Sequence, residues 1–333
     1  MKSGLREKAE KVFDGSGVTI STEGERHMGA VIGSEAFKKE YVSNKVSKWA
    51  KDIEMLADIA KDNPQAAYVS YTKAVAHRWT FMQRTIPGIN HLFQPLESVL
   101  REKLIPTLVG KAVTDLERKI LALPVRLGGI GISDPSQTAQ LEFDNSSAIT
   151  ADLSRIIYNQ EKDFTNFESG RVEDIIKQRK TIKDQLLKDK LDEILTVADP
   201  MTKRILELNQ EKGAGAWLTA IPLKSLGFTL NKQEFKDSMC LRYGWRIPNT
   251  PSHCQCGEKN TIDHALMCKK GGYVCLRHNR LRDLEAELMR EVCSDVRTEP
   301  ALIPIANKNN VNGNTTDQGR PDVSGVGVWS PME

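Results

Sequence analysis

The chain has 333 residues, is 27% charged and 39% hydrophobic, and carries a formal net charge of +3. That is enough chain for two or three domains with buried cores, and the composition excludes a disordered or membrane-embedded protein. Near-balanced charge excludes a global attraction to polyanions, so any nucleic-acid role must rest on local patches.

The amino terminus, "MKSGLREKAEKVF", is charged and has no apolar signal core. The longest apolar runs fall short of a membrane span. A protein that is not secreted and has no membrane partner is the expectation; a nuclear rather than cytoplasmic address is implied only by a family resemblance, since no strong basic import run is present. Residues 1–13 read as a helix. "GVTISTEGERHMGAVIG" reads as two short strands around a tight Glu23–Gly24 turn. From residue 38 the period changes: Val46, Trp49, Ile53, Leu56 and Ile59 recur at helical spacing and line one face. A second helix is predicted from Ala66 to Met82, before Pro87–Gly88 breaks the pattern, and a third in "PLESVLREKLIP". In "LALPVRLGGIGISDP", Pro124, Gly128, Gly129, Gly131 and Pro135 interrupt helical structure and predict a boundary or sharp reversal.

Residues 136–212 form a long helical tract. Val172, Ile175, Ile176, Ile182, Leu186, Leu191, Ile194 and Leu195 make its apolar stripe, and the lysines and aspartates between them read as a solvated face. Asp199–Pro200 is a start signal, an N-cap followed by proline at the first helical position. Gly213 ends that helix, and "KGAGAW" reads as a linker. Further on, Leu281, Leu284, Leu288 and Val292 mark one more amphipathic helix. "IANKNNVNGNTTDQG" reads as a mobile loop and "RPDVSGVGVW" as the start of a strand. The predicted fold is mainly α, with a short hairpin near the start and little regular structure at the end.

The densest chemistry lies in "CQCGEKNTIDHALMCKK". Cys254, Cys256, His264 and Cys268 are four soft or borderline ligands within fifteen residues, able to close tetrahedrally on zinc. Gly257 supplies a turn, and His264-x-x-x-Cys268 suits one turn of helix. Four protein ligands leave no position for water, so such a Zn2+ is structural. The first gap is tighter than usual, and His253 is an alternative ligand. The competing reading is a set of free thiols beside an unrelated histidine. Cys240, Cys275 and Cys293 fall outside the spacing and read as buried small hydrophobes. Lys269, Lys270, Arg277, His278, Arg280 and Arg282 follow the knuckle. They read either as a phosphate-binding strip or as a solvated helix face.

Taken in order, these segments resemble the carboxy-terminal part of a non-LTR retrotransposon polyprotein that ends in a restriction-like endonuclease. "EGERHMGAVIG" is similar to the segment closing the reverse-transcriptase palm, with Met28–Gly29 in place of Leu–Gly; in that family it helps position the primer. Residues 41–121 resemble the thumb, and "LALPVRLGGIGISDP" resembles the segment that follows it. "WLTAIPLKSLGFTLNKQEFKDSMCLRYGWRIP", the Cys-Cys-His-Cys cluster and Arg277-His278-Asn279 are similar to the knuckle region before the nuclease. "GRPDV" resembles the nuclease Arg/Lys-Pro-Asp motif, which implies that Asp322 is a catalytic metal-binding carboxylate.

The resemblance implies five segments: a palm remnant at 1–37, a thumb-like helical domain at 38–135 and a helical connector at 136–215. A zinc-knuckle region at 216–276 and a truncated α/β nuclease start at 277–333 complete them. Polymerase chemistry needs paired carboxylates for two metal ions, and no Asp-Asp occurs in the chain. No lysine follows Asp322, and Glu333 at a free terminus is a poor ligand. The expectation is a fragment inactive alone, with Mg2+ required only by the intact parent enzyme. RNA and DNA are the expected partners, held through Lys45, Lys48, Lys51, Arg78, Arg84, Lys269, Lys270, Arg277, His278 and Arg280. Trp49, Trp79 and Trp245 are candidates to stack on bases, and for Trp49 and Trp79 the competing reading, which is favoured, is core packing at helical spacing. Two alternatives stand beside this reading: a zinc-stabilised protein-interaction module, and a metal-dependent nuclease that joins Asp322 to Glu285, Glu287 or Glu291.

Overall fold

A computed structural model describes residues 4–160, 169–270, 273–300 and 321–327. It is mainly helical, at 65% helix, with a two-stranded antiparallel hairpin near the amino terminus. The chain divides into two units, Met1–Trp245 and Arg246–Glu333.

Helix α1 (Gly4–Val12) buries none of its residues. The hairpin follows, β1 (Gly24–His27) against β2 (Ala30–Gly33), with His27 opposite Ala30. Its turn is therefore Met28–Gly29, not Glu23–Gly24 as the sequence suggests. Both central residues have positive φ, 48° and 90°, the conformation whose twist matches the flanking strands. Glu23 sits at the open end, where its carbonyl accepts the Ser34 N–H at 2.7 Å.

Ser34 caps α2 (Glu35–Ala60), accepting the Phe37 N–H at 3.2 Å. Val42, Val46, Ile53, Leu56, Ala57 and Ala60 are its buried face, and Trp49 packs against that core. Ile59, predicted inward, is exposed because Ala60 takes the inward place. The helix expected over 66–82 is broken: α3 (Pro64–Lys73) gives way to a 3-10 turn at Val75–His77, then α4 (Thr80–Thr85). The break turns Trp79 into the core, 6.1 Å from Trp49 and 6.4 Å from Tyr71.

Helix α5 (Gln94–Val99), a π-helical turn (Leu100–Leu104) and α6 (Ile105–Val109) run on as one rod. The rod widens where Pro106 lacks the N–H that an α-helical bond needs. Leu96, Leu100, Leu104, Ile105 and Leu108 are fully buried along it. Next come α7 (Asp115–Ala122), opened by a Thr114–Glu117 capping box, and the glycine corner, whose Gly128 and Gly131 have φ of 88° and 74°. Then follow α8 (Pro135–Tyr158), α9 (Ser169–Val197), α10 (Pro200–Asn209), α11 (Ala216–Thr219) and α12 (Lys232–Tyr243). Asp199 caps α10 as expected, accepting the Met201 and Thr202 N–H groups. In α9 the predicted stripe is used only at its carboxy-terminal end. Leu191 and Ile194 are buried there, whereas Ile176, Ile182 and Leu186 are exposed.

The second unit contains the cysteine-rich loop, α13 (Ile262–Met267), α14 (Tyr273–Arg290) and a second antiparallel pair. In that pair β3 (Ser294–Thr298) lies against β4 (Val323–Val326), with Thr298 opposite Val323. The strand expected after Arg-Pro-Asp is thus present. The polar stretch expected as a mobile loop, together with Arg320 and Glu333, lies outside the described residues.

Candidate metal centre

The cysteine-rich loop is shaped by its own backbone. Gly257, at φ 95°, donates its N–H to the Cys254 carbonyl at 2.9 Å, and Cys254 N–H returns to Glu258 O at 2.8 Å. A bridge between His253 and Lys259 and an Asn260 N–H to Ser252 O bond at 3.0 Å brace the same turn. That fold carries Cys254 and Cys256 to one side of the loop. Thr261 then starts α13, its Oγ1 accepting the His264 N–H at 3.1 Å. Cys268 caps the far end of the helix and donates its N–H to His264 O at 2.8 Å. One helical turn therefore sets His264 and Cys268 on the same side, as their spacing predicts.

The four donor atoms of Cys254, Cys256, His264 and Cys268 lie within 4.8 Å of one another. Cys254 Sγ is 3.6 Å from Cys268 Sγ, and Cys256 Sγ is 3.1 Å from His264 Nε2. Donors around a tetrahedral zinc, with Zn–S of about 2.3 Å and Zn–N of about 2.0 Å, stand roughly 3.5–3.8 Å apart. The set fits such an ion in number and softness; the Cys254–Cys268 separation matches that spacing and the Cys256–His264 separation is shorter. At Cys254 the surroundings favour thiolate: the Cys256 backbone N–H, the His264 ring and the Cys268 thiol bond to its sulfur and draw its pKa down to about 6. Cys268 moves the other way. The Lys270 backbone N–H favours its thiolate, but dehydration and the neighbouring sulfurs outweigh that pull.

His253 does not join the four; its Nδ1 lies 3.1 Å from Ser252 Oγ. Of the remaining cysteines, Cys240 is buried as expected and Cys293 is half-buried. Cys275 is exposed on α14, against the expectation of burial, because α14 turns a different face inward.

The other candidate residues are more scattered. Lys269 and Lys270 follow the knuckle and are exposed, as is Arg280, while Arg277 is half-buried. His278 Nε2 lies 3.2 Å from Asp322 Oδ1, so residues on α14 and before β4 are brought together. Arg282 is tied to Asp283 and Glu299. Asp322 forms no cluster with Glu285, Glu287 or Glu291: among the described residues, the Cys3His set is the one group of three or more potential donors. On α2, Lys48 and Lys51 are exposed, and Lys45 Nζ stands 5.8 Å from the Tyr41 ring. Arg78 is paired with Asp52 and Arg84 with Glu142. Trp79 is buried, and Trp245 packs against Tyr243 at 4.8 Å beneath the Lys111 ammonium, so neither presents a bare ring for base stacking. Sequence reading missed Thr261, although its place three residues before His264 is an ordinary helix-start signal.

No family model matches the chain, and neither a curated protein nor a solved structure matches it. Among the described residues no helix is long and apolar enough to cross a membrane.

Proposed function

We propose that the chain is nucleic-acid-binding and related to retroelement reverse transcriptases, holding a structural zinc in its knuckle, with no Asp-Asp pair in its sequence and no complete nuclease centre among its described residues. The observation that carries this reading is the convergence of Cys254, Cys256, His264 and Cys268 on one point. The order of motifs around it supports the reading: a hairpin turned at Met28–Gly29, a helical region, the glycine corner, the knuckle and the Pro-Asp strand. A zinc ion held there cross-links the loop to α13 and performs no chemistry on a substrate. Asp322 bonded to His278, with no further carboxylate gathered beside it among the described residues, supports the absence of a complete nuclease centre.

In this reading Lys269 and Lys270 meet phosphates beside the metal-braced loop, and Lys48 and Lys51 do so from α2. The test is fluorescence anisotropy of zinc-loaded protein on single-stranded RNA and on duplex DNA across a salt series. Binding should weaken linearly in log–log form with added salt, and each phosphate contact removed by Lys269→Ala or Lys270→Ala should flatten the slope by about one unit. Zinc binding without salt-dependent affinity for either polymer would transfer the chain to the class of zinc-stabilised protein-interaction modules.

A further inference from the structure

Among the described residues helix α14 is the longest element of the second unit, about 27 Å by the usual rise per residue. It turns Ala286 inward, fully buried, and Met289 reaches toward Gly325 of β4. Among the described residues the opposite face is exposed. Leu281, Leu284 and Leu288 are 61%, 52% and 56% exposed, and they recur at intervals of three and four residues. That spacing is the a/d seam of a helix that packs lengthwise on another helix.

The charges along α14 say which helix. Arg277, His278 and Arg280 fall in its amino-terminal half and Arg282 just past its midpoint. Asp283, Glu285, Glu287 and then Glu291 follow, against one cation, Arg290. This is the reverse of what the helix dipole favours, since cations lie toward the positive end and carboxylates toward the negative end. Arg280, Glu285 and Glu287 have no ion-pair partner among the described residues. A second α14 laid antiparallel sets each basic half against an acidic half, whereas a parallel copy sets like against like.

We propose that the leucine face of α14 is an interface for a second copy of this chain, packed antiparallel about a two-fold axis. Leu281 of one copy packs against Leu284 of the other, and Arg280 of each pairs with Glu287 of its partner along the edge of the seam. The contact is isologous, so the two charge pairs are equivalent. Nothing in this inference depends on nucleic-acid binding.

Sedimentation equilibrium of the full zinc-loaded chain tests it. The wild type should dimerise, and Leu284→Lys should be monomeric. Arg280→Glu and Glu287→Arg should each weaken the dimer by roughly tenfold or more, because each places like charges together twice. The decisive arm mixes those two variants. In an antiparallel pair of one with the other, the carboxylate introduced at position 280 faces the guanidinium introduced at position 287 along one edge. The native Arg280–Glu287 pairing survives along the other edge, so the mixture should dimerise more tightly, by roughly tenfold or more, than either variant alone. That rescue also shows that both variants are folded. A monomeric wild type overturns the proposal, as does a dimer indifferent to all three substitutions. Failure of the mixture to pair overturns the antiparallel register and with it the proposal. Slow hydrogen exchange across residues 281–288 in a monomeric wild type would mean that another part of the same chain covers the face, which also overturns it.

Discussion

Arg118 and Glu97 form a buried fork-to-fork ion pair, Nε to Oε1 at 2.8 Å and Nη2 to Oε2 at 2.6 Å. The third nitrogen, Nη1, donates to the Ile132 carbonyl at 2.8 Å, so one side chain ties α7 to the α5 rod and to the glycine corner. Burial pushes the Glu97 carboxyl above the usual carboxylate range, against the pull of Arg118. The pair thus costs solvation that its geometry only partly returns. Removing one partner leaves the other charge buried and alone, and Glu97→Leu or Arg118→Leu should each cost about 3–5 kcal/mol. The double variant should lose less than either single one. Urea unfolding of the four proteins gives the cycle directly; strictly additive losses would remove the argument.

The glycine corner makes a second prediction, in the form of a ranking. A Cβ on Gly129 would stand 1.9 Å from the Leu123 carbonyl oxygen and 2.7 Å from that of Ile120. Both are backbone atoms and cannot swing away. Gly131 has open space around it and only its positive φ, 74°, to resist substitution. Gly129→Ala should cost about 1–3 kcal/mol or more, and Gly131→Ala about 1 kcal/mol. Equal urea midpoints for the two variants would contradict the packing argument.

That corner shows how far sequence reading reaches. Its breaking of the helix was visible, because proline and glycine act locally. Its clasp was not: Arg242 of α12 donates to the Val125, Gly129 and Ala214 carbonyls, and Tyr243 to Gly128, from far along the chain. Helix α2 and the start of α10 were legible because periodicity and caps are local too. The hairpin turn was misplaced because two glycine-bearing dipeptides competed, and only the pairing of His27 with Ala30 decides between them. The break before Trp79 follows from burying one indole between Trp49 and Tyr71, which no local rule contains. The gathering of Cys254, Cys256, His264 and Cys268 was readable because all four lie within one short loop and helix, whereas the His278–Asp322 contact joins segments distant in sequence.

Glu142 contributes stability that acid should remove. Its carboxylate, mostly covered, accepts from Arg84 of α4 at 2.9 Å and Lys183 of α9 at 3.2 Å. Dehydration works to raise its pKa, but the two cations outweigh it and the folded value is lowered. A lowered carboxylate stabilises the fold fully above its unfolded pKa, near 4.3, and the contribution disappears as pH falls through the folded value. Glu142→Gln should therefore cost about 1 kcal/mol at neutral pH and little below the folded pKa, so the two stability curves converge in acid. Parallel curves down to the acid limit would assign the effect to packing instead.

The knuckle should depend on metal and the first unit should not. The loop from Ser252 to Cys268 has a few turn bonds and no buried apolar side chain, while Met1–Trp245 holds an extensive core. Chelation should therefore raise hydrogen exchange across residues 252–268 and leave α2 and the α5 rod protected. Bound zinc should approach one per chain by mass spectrometry, and Cys256→Ser or His264→Ala should lower its retention by orders of magnitude. Cys275→Ser should change nothing, since that thiol lies outside the set. Because the ligands must shed protons to bind, zinc should be released on acidification, with protons taken up as it leaves. Retention of one zinc by both ligand variants would place the ion elsewhere and remove the basis for a structural knuckle.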